Sequence, residues 1–404
     1  FSTKISVRPT PEKLPMRANK LPFAKPDLGE AEFAAVRRVL ESGWITSGPE
    51  TDAFEREFTA YVGCADAAAV NSATAALHLG LVALGIGPGD AVLVPAFTFT
   101  ATAEIVTRAG AHPVLLDVDR DTYLVTAEIV QSYLQRCRRR GEHWLTPDGH
   151  TLKALICVHY GGRFCDLDGL LSLCRENKME LLQDAAHSFP ARDQSGLIGS
   201  RGAVTAFSFY ATKNLTTGEG GMITSDRPEI IERIRRMRLH GIETPAHRRA
   251  GWQYDVVEQG YKYNLSDIAS ALGRVQLRRS EEMWQKRKTI HEAYNEAFGN
   301  IPWIRPCPNQ KGSAFHLYTI EVLPGAETTR DALVQELESR NIGTGLHFIP
   351  LYRMTYYQNR YGRDFVDFPA CEEIFASILS LPIYSAMTEE DTLDVIRAVQ
   401  TTFK

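Results

Sequence analysis

The chain of 404 residues exceeds what one compact core usually supports, so two domains are expected. Its 44% hydrophobic and 23% charged residues are those of an ordinary soluble globular protein, and a net charge of −4 gives no electrostatic case for a nucleic acid or an anionic membrane as partner. Cys64, Cys137, Cys157, Cys165, Cys174, Cys307 and Cys371 form no Cys-x-x-Cys pair, which argues against a disulfide framework or a zinc site. No metal is expected, and a reducing cytoplasm fits best.

Residues 1–25 mix Lys, Arg, Pro and Thr without the apolar centre of a signal peptide, and we expect a mobile N-terminal arm with Met16 as a candidate native start. No apolar run reaches the roughly 18–20 residues of a membrane span. Asp27-Leu28-Gly29-Glu30 reads as a capping box opening a helix through Phe33, Val36, Val39 and Leu40. Thr51 to Val62 reads as a second helix. A third opens at Ser72-Ala73-Thr74 with hydroxyls and no acid in its first turn, which leaves free amides and a favourable field for an anion; a plain buried helix capped by Ser72 is an equal reading of this segment alone.

From Ala91 short apolar strands alternate with helices. Strands are expected at 92–95, 113–118, 155–158 and 179–184, with a helix over 101–109, one over 126–140 and one capped by Asp166. The run Arg136, Arg138, Arg139, Arg140 then reads as a solvated helix end. This alternation predicts an α/β fold in which helices cover a mostly parallel sheet and ligands sit at the carboxyl ends of the strands. Ser266 caps a further helix, and a long charged helix from about Ser280 to Phe298 leads into a smaller C-terminal α+β domain. The expected division is 26–279 for the large domain and 280–404 for the small one.

The chemistry concentrates where the strand Val204–Tyr210 gives way to Ala211-Thr212-Lys213-Asn214 and then to Gly218, Gly220 and Gly221, before a second strand over 222–225. Most lysines are surface charges. This one would hang in a hairpin turn facing a cleft, with the Ser208 hydroxyl upstream to hold an anion. Partly desolvated, such a lysine has a lowered pKa and serves as a Schiff-base nucleophile, which is the chemistry of pyridoxal 5′-phosphate (PLP). Asp184 ends an otherwise apolar strand. It either caps the next turn or, beside a PLP lysine, keeps the pyridine nitrogen protonated. His187 lies near the ring's phenolic oxygen or packs as a core histidine.

Together, Ser72-Ala73-Thr74, Gln183-Asp184-Ala185-Ala186-His187, Ser208 to Asn214 and Gly260-Tyr261-Lys262-Tyr263-Asn264 resemble the fold type I, PLP-dependent nucleotide-sugar aminotransferases of the DegT/DnrJ kind, from about Leu21 to the C-terminus. Within that family, residues 261–265 and 343–348 are most similar to the bacterial UDP-4-keto-pentose aminotransferase of lipid A modification. Phe99 stands where that enzyme has tryptophan, and Tyr210 where it has histidine. The resemblance implies that Lys213 carries the cofactor and Asp184 pairs with its ring nitrogen. It places Phe99 stacked on the ring, Ala73, Thr74 and Ser208 on the phosphate, and Asn264 on the phosphate of a second subunit in a homodimer. His187, Tyr210 and His347 would line the sugar site. The implied reaction is ping-pong transfer of an amine from L-glutamate to a nucleotide-linked keto sugar, 4-keto in preference to 3-keto. A sugar dehydratase of the same fold is the nearest alternative, but its well-known branch replaces the lysine by histidine. A non-catalytic regulatory homologue is the other, and the intact residue set argues against it.

Overall fold

A computed structural model describes residues 17–361 and 368–403. The chain enters through α1 (Glu30–Ser42), α2 (Pro49–Val62), β1 (Asp66–Val70), α3 (Ala73–Ala83), β2 (Asp90–Pro95), α4 (Ala101–Arg108) and β3 (His112–Leu116). It continues through α5 (Ala127–Leu134), β4 (Arg138–Arg140), β5 (His143–Leu145), β6 (Thr151–Val158), α6 (Leu167–Glu176), β7 (Glu180–Asp184), β8 (Val204–Ser208) and β9 (Gly221–Ser225). The helices α7 (Pro228–Met237), α8 (Asp267–Arg278) and α9 (Ser280–Phe298) follow. The remainder is β10 (Ile304–Pro306), β11 (Tyr318–Val322), α10 (Arg330–Ser339), α11 (Thr355–Tyr361), α12 (Pro369–Ser377), β12 (Ile378–Leu381) and α13 (Glu389–Thr402).

Among the described residues the large sheet runs β1-β9-β8-β7-β6-β2-β3, with the β4–β5 hairpin attached to β6. The pairs from β3 across to β8 are parallel, whereas β9 is antiparallel to both β8 and β1. Alternation along β2 explains why the strand reads as one apolar run: Val92 and Val94 pack with Leu79, Ile223 and Met237 on one face, and Leu93 packs with Phe54, Phe58 and Phe207 on the other. The predicted α/β class, with a mostly parallel sheet under helices, is the observed one. A second sheet, β10-β11-β12, is antiparallel and packs Ile320 and Leu379 against Tyr294 of α9, Leu333 of α10 and Val395 of α13.

Several expectations need correction. The first helix is capped at Gly29, whose N–H is taken by Glu32 Oε2 at 2.9 Å, while Asp27 accepts from Arg279 at 2.9 Å. Only part of the apolar stripe of α1 is buried. Phe33 and Leu40 are 54% and 55% exposed, while Ala35 and Val39 pack on Ala271 and Val275 of α8. The helix expected over 126–140 stops at Leu134, and the arginines continue as the edge strand β4, where Arg139 lies 4.4 Å above the Trp144 ring. An edge strand of exposed arginines keeps its far edge unattractive for further pairing.

Of the expected N-terminal arm, residues 1–16 and the candidate start Met16 lie outside the described residues. The rest of it does not stand free. Leu21 is buried and pairs with 341–343, its N–H donating to Asn341 O and its carbonyl accepting from Gly343 N, both at 2.8 Å.

Candidate active site

Because β2, β7 and β8 are parallel, their carboxyl ends open on one side, and β1 delivers the start of α3 to that same side. A cavity of about 500 Å³ lies there. Lys213, Asp184, His187, Ala73, Thr74, Phe99, Ser208, Tyr210 and His347 all line it, so the structure brings together nine of the ten residues singled out in the sequence. The tenth, Asn264, does not reach its own chain's cavity. It donates to Ser47 Oγ and accepts from Lys262 Nζ, both at 2.6 Å.

The hairpin reading of the lysine loop holds. Phe209 and Gly220 close it (N–H to O, 2.8 Å), and a turn from Tyr210 to Lys213 (2.9 Å) places the lysine at its cavity edge. Its ammonium makes no hydrogen bond or ion pair among the described residues. Burial pushes its pKa down to about 8, and the Asp184 carboxylate opposes this only in part. Asp184 is buried; burial raises its pKa, against hydrogen bonds from Thr102 Oγ1 (2.9 Å) and Ala186 N (3.1 Å). A buried carboxylate in such a place is stabilised by a cation opposite it.

The start of α3 borders the cavity, and Ser72 caps it as expected. Ser72 Oγ accepts from Ala75 N at 3.1 Å, and the leading amides point out of the helix unpaired, as at any helix start. Gly221 allows this docking: a Cβ there would lie 2.7 Å from the Ser72 carbonyl carbon and 2.8 Å from Ala73 N. Ser208 Oγ accepts from Tyr210 N (3.3 Å) and keeps its own proton for an anion. His187 Nδ1 accepts from Gly161 N at 3.3 Å, so the ring proton sits on Nε2; burial holds the ring neutral. The set fits PLP: an enclosed amine, a carboxylate across from it, a helix start for the phosphate and an imidazole N–H for a phenolic oxygen.

Sequence reasoning assigned no site role to five neighbours. Thr102 donates to Asp184, and Thr98 sits 3.0 Å behind it. Phe348 stacks on His187 (5.7 Å, 20°), and Phe23 from the supposed arm stacks on His347 (5.2 Å, 29°). His316 lies against His187 with ring centroids 4.5 Å apart. Thr98 and Phe348 lie beside Phe99 and His347, but the contacts of Thr102, Phe23, His316 and Phe348 with the site cross 82 or more positions and leave no local mark.

This fold and this site define a PLP-dependent aminotransferase of fold type I. The chain belongs to the DegT/DnrJ/EryC1/StrS aminotransferase family, whose profile matches residues 26–400. It is 41% identical over 392 residues to the spore coat polysaccharide biosynthesis protein SpsC of Bacillus subtilis, covering 95% of this chain and 97% of that protein. Among solved structures it resembles the putative sugar aminotransferase Spr1654 of Streptococcus pneumoniae in its PLP form (TM-score 0.84, 31% identity, 95% and 100% of the two chains). It also resembles PseC of Helicobacter pylori, an aminotransferase involved in the biosynthesis of pseudoaminic acid (TM-score 0.86, 25% identity, 95% and 99%).

Proposed function

We propose that the protein passes an amino group from L-glutamate to the keto carbon of a nucleotide-linked sugar, most simply a 4-keto sugar, in a ping-pong cycle. The observation that carries this reading is the enclosed, unpaired Lys213 sharing one cavity with Asp184 and the start of α3. Bound there, PLP supplies the electron sink for the carbon that gains or loses the amine. Asp184 would hold the ring nitrogen's proton, with Thr102 fixing the carboxylate. The amides of Ala73 and Thr74 and the Ser208 hydroxyl would hold the phosphate, Phe99 would cover the ring, and His187 would donate to the phenolic oxygen. Lys213 would move the proton between substrate carbon and cofactor, since an amine with a pKa near 8 both gives and takes protons near neutrality. Tyr210 and His347, which also line the cavity, would face the substrate. The neutral histidines and the lack of any arginine among its described lining residues suit a hydroxylated acceptor. Glutamate should bleach the long-wavelength band of the yellow holoenzyme, and a panel of UDP-, dTDP- and GDP-linked keto sugars with mass detection should show one gaining an amine. A protein that glutamate does not bleach, or that aminates none of the panel, refutes the reading.

The active unit is proposed to be a cytoplasmic homodimer in which Asn264 completes the partner's phosphate site. Support comes from its turning away from its own cavity to bind Ser47 and from Phe33, Leu40, Trp44 and Ile45 standing exposed on and just after α1. Subunit mixing tests it. Lys213→Ala and Asn264→Trp should each be inactive alone, and exchanged mixtures should regain up to one working site per mixed dimer. Confirmed exchange without any recovery would show that the sites are not shared in this way.

A further inference from the structure

His316 follows Phe315 just before β11, and its placement depends on the loop that also supports His187. Ala314 N donates to Gly162 O (2.9 Å) and Leu317 N to Gly161 O (3.0 Å), while the Gly161 N–H meets His187 Nδ1. Gly162 has φ +100°, and a Cβ there would lie 2.8 Å from His316 N, so the two segments approach as closely as glycine permits. From the other side the buried Arg287 donates to Ile383 O at 2.8 Å and to His316 O at 3.4 Å. The backbone of His316 is thus held on both flanks.

The proton on its ring can be assigned. Asn214, the residue after Lys213, has Nδ2 at 2.7 Å from Ala314 O, and a flipped amide would set two oxygens against each other there. Its Oδ1 is therefore the atom 3.0 Å from His316 Nδ1, and an amide oxygen only accepts, so Nδ1 carries the proton. The ring's one side-chain hydrogen bond among the described residues is that at Nδ1, which leaves His316 Nε2 with a lone pair and no partner among them, on a side chain that lines the cavity. Burial, with His187, Lys213, Arg287 and His347 around it, holds the ring well below the usual histidine pKa. The two adjacent imidazoles are complementary: His187 offers an N–H and His316 a lone pair. A lone pair cannot serve the anionic oxygens of a cofactor, so its ligand must bring a proton.

We propose that His316 is a specificity-determining residue: a neutral imidazole locked by Asn214, whose Nε2 accepts a hydrogen bond from a hydroxyl of the amino acceptor near the reacting carbon. The identity of that acceptor rests on the nucleotide-sugar reading above; the locked tautomer does not. Two measurements separate them. In protein labelled with 15N-histidine, with the His316 signal assigned by its loss in His316→Gln, the ring should stay neutral with its proton on Nδ1 from about pH 6 to 8, the range in which a free histidine ionises. Asn214→Leu should mix the tautomers. A proton on Nε2, or ionisation within that range, overturns the proposal. In single turnovers with the nucleotide sugar that the wild type aminates, His316→Phe should lower kcat/KM of the acceptor half-reaction about tenfold more than that of the glutamate half-reaction, the scale of one lost hydrogen bond. His316→Gln, whose Oε1 can accept, should recover most of that difference. Equal losses in both halves would make His316 part of the common machinery and overturn the assignment, as would an unchanged acceptor half. If the wild type aminates no sugar, the substrate reading fails while the tautomer measurement still decides the state of His316.

Discussion

Lys213→Ala and Lys213→Arg should each abolish covalent attachment of the cofactor and lower turnover by about 10⁴-fold or more, the scale seen when a nucleophile that acts as part of a unit is removed. Borohydride reduction and peptide mapping of the wild type should find the cofactor on Lys213, and its appearance on another lysine would overturn the site. Arginine preserves the charge but not the chemistry, since a guanidinium stays protonated. The pH dependence follows from the same burial. Only the neutral amine attacks the cofactor's aldehyde. At pH 7.5 a lysine of ordinary pKa is neutral in about one molecule in a thousand, and one shifted to about 8 in roughly one in four. Because the shift is downward, the reactive form gains population at lower pH. The rate of PLP uptake by cofactor-free protein should rise through neutrality and level off above about pH 8. A rate that keeps climbing towards pH 10 would mean that Lys213 is solvated like a surface lysine.

Asp184→Asn should retain PLP yet lower turnover about 10²–10³-fold, the scale of losing one preorganised electrostatic partner. Asparagine matches the shape of aspartate: its Oδ1 can still accept from Ala186 N, and its Nδ2 can donate to the Thr102 hydroxyl, which accepts as well as donates, so the fold around it should survive. It carries no charge with which to keep a ring nitrogen protonated. Asp184→Glu keeps the charge in a displaced position and should be milder. Thr102→Val removes the 2.9 Å bond to Oδ2 and should cause an intermediate loss, because the buried carboxylate then lacks one of its two donors. Near wild-type turnover by the asparagine variant would reduce Asp184 to a residue closing the Asp184–Ala186 turn.

What was legible in the sequence is what short-range geometry decides. Ser72, Asp166 and Ser266 each cap the expected helix by accepting from an amide three residues on. α9 spans the expected Ser280–Phe298. The lysine hairpin was readable because its strands, turn and glycines are contiguous in the chain. The site residues Asp184, Ser208, Lys213 and the start of α3 were reachable because a parallel sheet gathers the carboxyl ends of its strands, a consequence of strand order rather than of any one contact.

Tertiary structure decided the rest. Asp27 looked like a cap, but Arg279, 252 residues away, takes its carboxylate. The arginines after Leu134 continue a helical pattern by composition, yet they have β5 as a strand partner. Phe33 and Leu40 mark the expected first helix but stand exposed, and the face of α1 turned to α8 carries Ala35 and Val39. Thr102 reaches Asp184 across 82 positions, and His316 reaches Asn214 across 102. The sequence by itself determined the α/β class, the caps at Ser72, Asp166 and Ser266 and the hairpin that carries Lys213, because hydrogen bonds across three or four residues and apolar periodicity are local properties. It left open which donors hold the aspartate, which nitrogen of each histidine bears the proton and which surface of α1 is buried, because those depend on partners that only the folded chain brings within 3 Å.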